Sequence, residues 1–268
     1  MKPISLDRYL SANNPWTRRI LGIEPFSKKR DLEQVEREYN QDKYGPLLEF
    51  EFDDIEQYVS KGYELSGVRE DSPTTVSFGD EIFETDLKIV RSIYYSLLSS
   101  TIAKYKPQRI CELGCGFGYN LAYLKQICSE VYGGEYSKNA VKLGSRLGLD
   151  LQVFNYYDLD SYQMIREGSL VLTVHSIEQI PSADSFVRGL EQHRDKIDLA
   201  INFEPCVLSD RHSLLGLFRN RYMELNDYNR DLAQTLHERD DIEILEYKPD
   251  IMGLNPLNST HLFVWKFK

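Results

Sequence analysis

No run in this 268-residue chain approaches the roughly 18 consecutive apolar residues that a membrane-spanning helix needs. The opening MKPISLDRYLSANNPW lacks the apolar core of a secretory leader, so a cytoplasmic protein without membrane insertion is expected. A basic excess is also missing: 32 Lys and Arg stand against 42 Asp and Glu, a formal net charge of -10. With no basic field to steer approach, nucleic acid is not an expected partner. Cysteine is sparse, and Cys111, Cys115, Cys128 and Cys206 form neither a CxxC pair nor a disulfide framework. Reduced thiols follow, and Cys111 with Cys115 lacks the second pair of ligands that zinc wants. There is no internal repeat and no low-complexity tract. What remains, 41% hydrophobic and 28% charged, is an ordinary globular composition. The length suits one large domain, or one domain with an appendage.

Residues 1–83 read differently from the rest. They show short helical patterns, scattered Pro and Gly and no strand alternation, which predicts a helical cap segment. Within it, KKRDLEQVEREYNQDKY reads as a charged helix with a solvated face. From residue 84 a second unit begins. FETDLKIVRSIYYSLLSSTIAKY has the period of one long amphipathic helix. Short apolar runs then alternate with helical patterns. The strand candidates are Arg109–Leu113, Val131–Tyr136, Leu151–Tyr156, Leu170–His175 and Asp198–Phe203. The intervening helices are expected over 118–128, 137–147, 158–166, 182–194 and 211–239. Such a repeat implies an α/β fold, a doubly wound parallel sheet with right-handed crossovers. The end departs from it. IEILEYKP and HLFVWKF read as strands joined by DIMGLNPLNST, a loop without a helix, so they should pair antiparallel and bring the count to seven strands.

The stretch ICELGCGFGYNLAYL places Gly114, Gly116 and Gly118 between the first of these strands and its helix. Ligands of open α/β sheets bind at the carboxyl ends of the strands, where glycine lets backbone approach closely. A dinucleotide fingerprint would need a further glycine where Tyr119 stands. Glu112, two residues before the first glycine, would repel a pyrophosphate and attract an ammonium group. The ligand implied is cationic.

ELGCGFG resembles the motif of the class I S-adenosylmethionine (SAM)-dependent methyltransferases, and the likeness extends over about 84–268, with Rossmann-like topology and a terminal antiparallel pair. The resemblance implies SAM as cofactor and S-adenosylhomocysteine (SAH) as product, held by Glu112 and the three glycines. It places Glu135, at the end of the second strand in VYGGEYS, on the ribose hydroxyls, where one carboxylate can accept from both. Tyr136 would lie against the adenine, and Ser137 makes a helix N-cap. In VFNYYDL, Asp158 would accept from the adenine amino group with Tyr157 flanking the base; a plain N-cap is the alternative for Asp158.

The fourth strand ends LVLTVHSIEQIP, the segment that in this family lies under the transferred methyl. Here it carries His175, Glu178 and Gln179. Some quinone-type O-methyltransferases bind a divalent ion with acids and a histidine at this place, but Gln179 stands where histidine is often found, so no metal is expected. A hydroxyl acceptor needs a base, and His175 is a candidate; packing against the cofactor's methionine moiety is its alternative role. Glu204, in NFEP, is expected on the same rim, either orienting the acceptor or starting a helix. His212 is a second base candidate, and Arg219 and Arg221 are candidates for meeting an anionic acceptor. Trp16, with Arg18 and Arg19, reads first as packing.

The leading expectation is methyl transfer to a hydroxyl oxygen of a small molecule or sugar residue. The acidic charge and the absence of an N/D-P-P-[YF] tetrapeptide after the fourth strand favour it, and the plan resembles bacterial glycan and natural-product methyltransferases. Methylation of an amine or protein side chain, and a SAM-binding partner subunit without chemistry, stay open, as does a homodimer.

Overall fold

The computed structural model describes residues 1–12, 15–69 and 71–268. Its strands are β1 (Lys2–Ile4), β2 (Pro73–Phe78), β3 (Glu81–Asp86), β4 (Arg109–Leu113), β5 (Glu130–Glu135), β6 (Asp150–Val153), β7 (Ser169–Val174), β8 (Ile197–Pro205), β9 (Ile242–Asn255) and β10 (Asn258–Phe267). They form one sheet in the order β1-β3-β2-β9-β10-β8-β7-β4-β5-β6. Only β8-β7-β4-β5-β6 is parallel; β10 runs antiparallel to β8, and every pairing beyond it is antiparallel. Among the described residues the sheet therefore has ten strands where seven were expected, and half of it is an antiparallel extension.

Two segments account for the difference. The first 83 residues are not purely helical. They supply α1 (Leu6–Ser11), α2 (Pro15–Ile20), α3 (Leu32–Val35), a π-helical stretch (Glu36–Tyr44) and α4 (Ile55–Leu65), but also β1, β2 and the start of β3. Strands β2 and β3 are a hairpin turned at Gly79, whose φ of +55° a side chain would strain. Ser77 opposite Gly253 joins the hairpin to the terminal strands. The second segment is DIMGLNPLNST, which is mostly strand. Only Pro256 and Leu257 lie outside β9 and β10, with Asn255 Oδ1 accepting from the Leu257 N–H at 3.1 Å.

Helices α5 (Leu87–Ala103), α6 (Tyr119–Leu124), α7 (Lys138–Arg146), α8 (Asp184–Glu191), α9 (Leu214–Leu225) and α10 (Leu232–Glu238) complete the order. Leu98 and Ile102 of α5 and Leu121 and Leu124 of α6 bury against one face of the parallel strands. Phe186 and Leu190 of α8 and Leu232 and Leu236 of α10 bury against the other. Two expected helices come out differently. The one over 158–166 is only a 3-10 stretch, Leu159–Met164. The one over 211–239 is cut into α9 and α10 by NDYNRD, where Asp227 adopts φ +52° and the Asn229 side chain binds the Ile180 carbonyl. Asn and Asp compete with the helix ladder for backbone partners, and here they win.

The chain leaves β4 for β5 and β6 on one side and returns to β7 on the other. The carboxyl ends of β4 and β7 are therefore a topological switch point, the place where open α/β sheets hold ligands.

Candidate functional site

At that switch point Gly114, Gly116 and Gly118 have φ of +76°, +56° and +86°. A Cβ on Gly114 would collide with the Ser176 hydroxyl, and one on Gly116 would come within 2.7 Å of the Tyr44 hydroxyl. Backbone conformation and space both demand glycine at these two positions. Gly118 instead forms the N-cap of α6 and lies outside the cavity lining.

A cavity of about 720 Å³ opens over this loop, a size typical of small-molecule sites. Its floor is made by Glu112, Gly114, Gly116, Glu135, Tyr136, Asn155–Tyr157, Val174–Ser176 and Glu178–Ile180. Its roof is the segment from Arg30 to Ser66, with Tyr39, Lys43, Tyr44 and Tyr58 among the lining residues. Eight of the residues singled out from sequence thus share one cavity: Glu112, Gly114, Gly116, Glu135, Tyr136, Tyr157, His175 and Glu178.

Glu112 is 1% exposed, and its Oε1 accepts from Asn120 Nδ2 at 2.6 Å, while its Oε2 has no hydrogen-bond partner among the described residues. Burial, opposed by Asn120 and reinforced by Glu135 and Glu204, pushes its pKa up to about 8. Glu135 accepts from Gly116 N at 2.8 Å and from Ser137 N at 2.9 Å. Its pKa is raised by burial, against those two donors and the nearby Lys43 ammonium. Each carboxylate oxygen retains acceptor capacity beyond its one backbone bond.

Other candidates stand outside the cavity lining. Asp158 caps the 3-10 stretch, accepting from Asp160 N at 3.1 Å and Ser161 Oγ at 3.1 Å. Glu204, fully buried, accepts from Ser176 N through both oxygens at 3.0 Å and from Glu178 N at 3.3 Å. It shapes the turn after β7, and burial beside Glu178 lifts its pKa to about 7 despite the His175 ring. His212 is exposed in the loop before α9, with no contact to the cavity. Arg219 is buried in an ion network remote from the lining, and Arg221 pairs with Glu224 on the surface. The expectation that these two arginines meet an acceptor is therefore corrected. Trp16 packs edge-on against Phe26 and Tyr222.

His175 takes φ +49°, a conformation that L side chains rarely adopt. Its Nδ1 meets Glu178 Oε2 at 3.1 Å and its Nε2 meets Thr260 Oγ1 at 2.7 Å. Enclosure would favour the neutral ring, but the Glu178 carboxylate and its hydrogen bond outweigh it and raise the pKa. Both ring nitrogens are thus committed. Glu178 in turn accepts from Asn258 Nδ2 at 3.1 Å and Gln179 Nε2 at 2.7 Å. Among the described residues no cluster of three or more His, Cys, Asp or Glu side chains is arranged for a metal ion.

The roof residues escaped the sequence reading. Asn40 clamps the roof to the β5–α7 turn: its Oδ1 accepts from Ser137 Oγ and Asn139 N, both at 2.8 Å, and its carbonyl accepts from Asn139 Nδ2 at 2.7 Å. Asn40→Ala removes the first two and should lower stability by about 1–3 kcal/mol, read by denaturant unfolding, with faster proteolysis inside 30–66. A variant as stable and as protease-resistant as the parent would show that the clamp does not hold the roof.

No protein-family model matches the sequence, and no curated protein matches it. Solved structures do resemble it. A SAM-dependent methyltransferase from Anabaena variabilis superposes with a TM-score of 0.51 at 13% identity, over 91% of this chain and 99% of that one. Magnesium protoporphyrin IX methyltransferase from Synechocystis, solved with SAH bound, gives 0.51 at 12% identity, over 89% and 100%. The chain has the fold of the class I SAM-dependent methyltransferases. Among the described residues no helix is long and apolar enough to cross a membrane.

Proposed function

We propose that this protein binds SAM in the cavity at the β4–β7 switch point and transfers its methyl group to an oxygen of a small acceptor. The observation that carries the reading is Glu112 Oε2: a buried carboxylate oxygen without a donor among the described residues, beside a glycine turn that a cofactor's backbone contacts would need. A group bearing an ammonium supplies the missing donor and the countercharge. Glu135 would take the ribose diol with its remaining lone pairs, and Tyr136 and Tyr157 would flank the adenine. SAM supplies an electrophilic methyl on a sulfonium. The chain's part is to hold and orient the reactants, and the roof over residues 30–66 keeps water from them. Residues 1–83 act in this reading as the acceptor's cap. The fold of the two structural relatives supports it.

Titration calorimetry tests it directly. SAM and SAH should bind, NAD should not, and Glu135→Ala should weaken SAH by about 10- to 100-fold, the loss of charge-assisted hydrogen bonds. Tight NAD binding without SAM binding would overturn the assignment.

A further inference from the structure

Lys43 is a cation in this cavity, and the three carboxylates whose fields reach it already hold other donors. Of the carboxylates around it, Glu38 already holds Lys28 and Arg30. Glu178 holds His175, Asn258 and Gln179, and Glu135 holds two backbone N–H groups. Among the described residues Lys43 makes no ion pair. Its ammonium rests instead over the rings of Tyr39 and Tyr44, 5.0 and 5.2 Å from their centroids. The carboxylates whose fields reach it are Glu135 first, then Glu178 and Glu38, and Glu112 is not among them.

The cavity's histidine is not a free base. His175 has one nitrogen on Glu178 and the other on Thr260, so its ring must break a hydrogen bond before taking a proton from an acceptor. A hydroxyl acceptor needs that proton removed; a carboxylate does not.

We propose that the acceptor is a carboxylate, held by Lys43 and converted to its methyl ester, a refinement that rests on the SAM-dependent reading above. In the step a carboxylate oxygen forms the new C–O bond with the methyl carbon as the S–C bond breaks. The bonding pair leaves with sulfur, so the sulfonium becomes neutral SAH, the carboxylate becomes a neutral ester and no proton moves. The tyrosine faces beside Lys43 suit an acceptor whose carboxylate is attached to a flat or apolar body. The cofactor carries a carboxylate too, but it branches from the same carbon as the ammonium that Glu112 would hold.

The test uses the full chain, SAM labelled in its methyl group and a small-molecule extract of the source organism. Label should enter the extract in a form that mild base releases as volatile methanol, which esters give and methyl ethers and methylamines do not. Lys43→Met should lower incorporation at limiting extract by about 10- to 100-fold, as removal of a charged hydrogen bond does, with SAH affinity falling far less. Lys43→Arg should recover part of the loss. Should the methionine variant fail to fold, Lys43→Gln serves, and base release from the wild-type product is read regardless.

Label that resists base overturns the carboxylate and leaves the methyltransfer reading standing. SAH affinity that falls as far as incorporation assigns Lys43 to the cofactor's carboxylate and overturns its role here. SAH binding with no label in any fraction overturns transfer and ester together, whereas a wild type that binds neither SAM nor SAH removes the reading beneath both.

Discussion

Replacing Arg219 by methionine should lower the unfolding free energy by about 3 kcal/mol without altering SAH affinity. The guanidinium is 1% exposed, on a helix that lies beside two hairpin turns. Its Nε donates to Pro256 O at 3.0 Å, and its Nη2 donates to Gly79 O at 2.7 Å and Ser77 Oγ at 3.2 Å. Nη1 pairs with Asp80 at 3.0 Å and Asp250 at 3.2 Å. One side chain therefore ties α9 to both the β2–β3 turn and the β9–β10 turn. Methionine fills the volume but leaves buried acceptors without donors, and that cost dominates. The magnitude falls at the low end for a broken buried ion pair because Asp250 keeps Arg211 at 2.6 Å and Asp80 is half exposed. Lysine should restore little, since one ammonium cannot reproduce the guanidinium fork. Chemical denaturation of the two variants measures this. A loss under about 1 kcal/mol in Arg219→Met would mean the network is no better than a surface pair.

Much of the cavity floor was legible because its signals are local. Gly114 and Gly116 need positive φ within a few residues of a buried strand, and Glu135 ends the next strand. A strand–glycine–helix pattern states these constraints in one short stretch. The antiparallel half of the sheet depends on distant partners. PTTVSF and EIFETD flank Gly-Asp and carry a hairpin signal of their own, yet only Val76, Ser77 and Ile82 of them are buried. A strand so little buried shows weak alternation, and its pairing to β9 lies far along the chain. DIMGLNPLNST, expected as loop throughout, turns only at its tip, Pro256 and Leu257.

The roof was misread for a different reason. EREYNQDKY is polar, and polarity ordinarily means a face in water. Here Tyr39, Lys43 and Tyr44 line a cavity, so part of this polar segment faces it as well as the solvent. His212 departs in the opposite sense, and Asp158 takes the cap that was its alternative role. Each has a residue type suited to chemistry, but one lies in an exposed loop and the other spends its carboxylate on a cap.

Glu112 makes the strongest prediction for pH. Its folded pKa of about 8 lies above the unfolded value near 4.5, so the folded state holds a proton that the unfolded state has released between those limits. Stability of the free protein must then fall as pH rises from about 5 to 8, by an amount on the order of a few kcal/mol from this group. Glu204, raised to about 7, and Glu135 act in the same direction. An ammonium ligand reverses the preference at Glu112, because only the carboxylate gains from it. Binding of SAM should release a proton below about pH 8, and affinity should climb by close to tenfold per pH unit between about pH 6 and 7.5. The rise ends where the ligand's own amino group begins to lose its proton, near 8. Calorimetry in buffers of different ionisation enthalpy counts that proton. In Glu112→Gln the neutral amide keeps the bond from Asn120, so the free protein should become less sensitive to alkaline pH, and both the pH slope of SAM affinity and the released proton should largely disappear. A glutamine variant that kept the full slope would move the titrating group to Glu135, leaving Glu112 as a buried acid that no ligand touches.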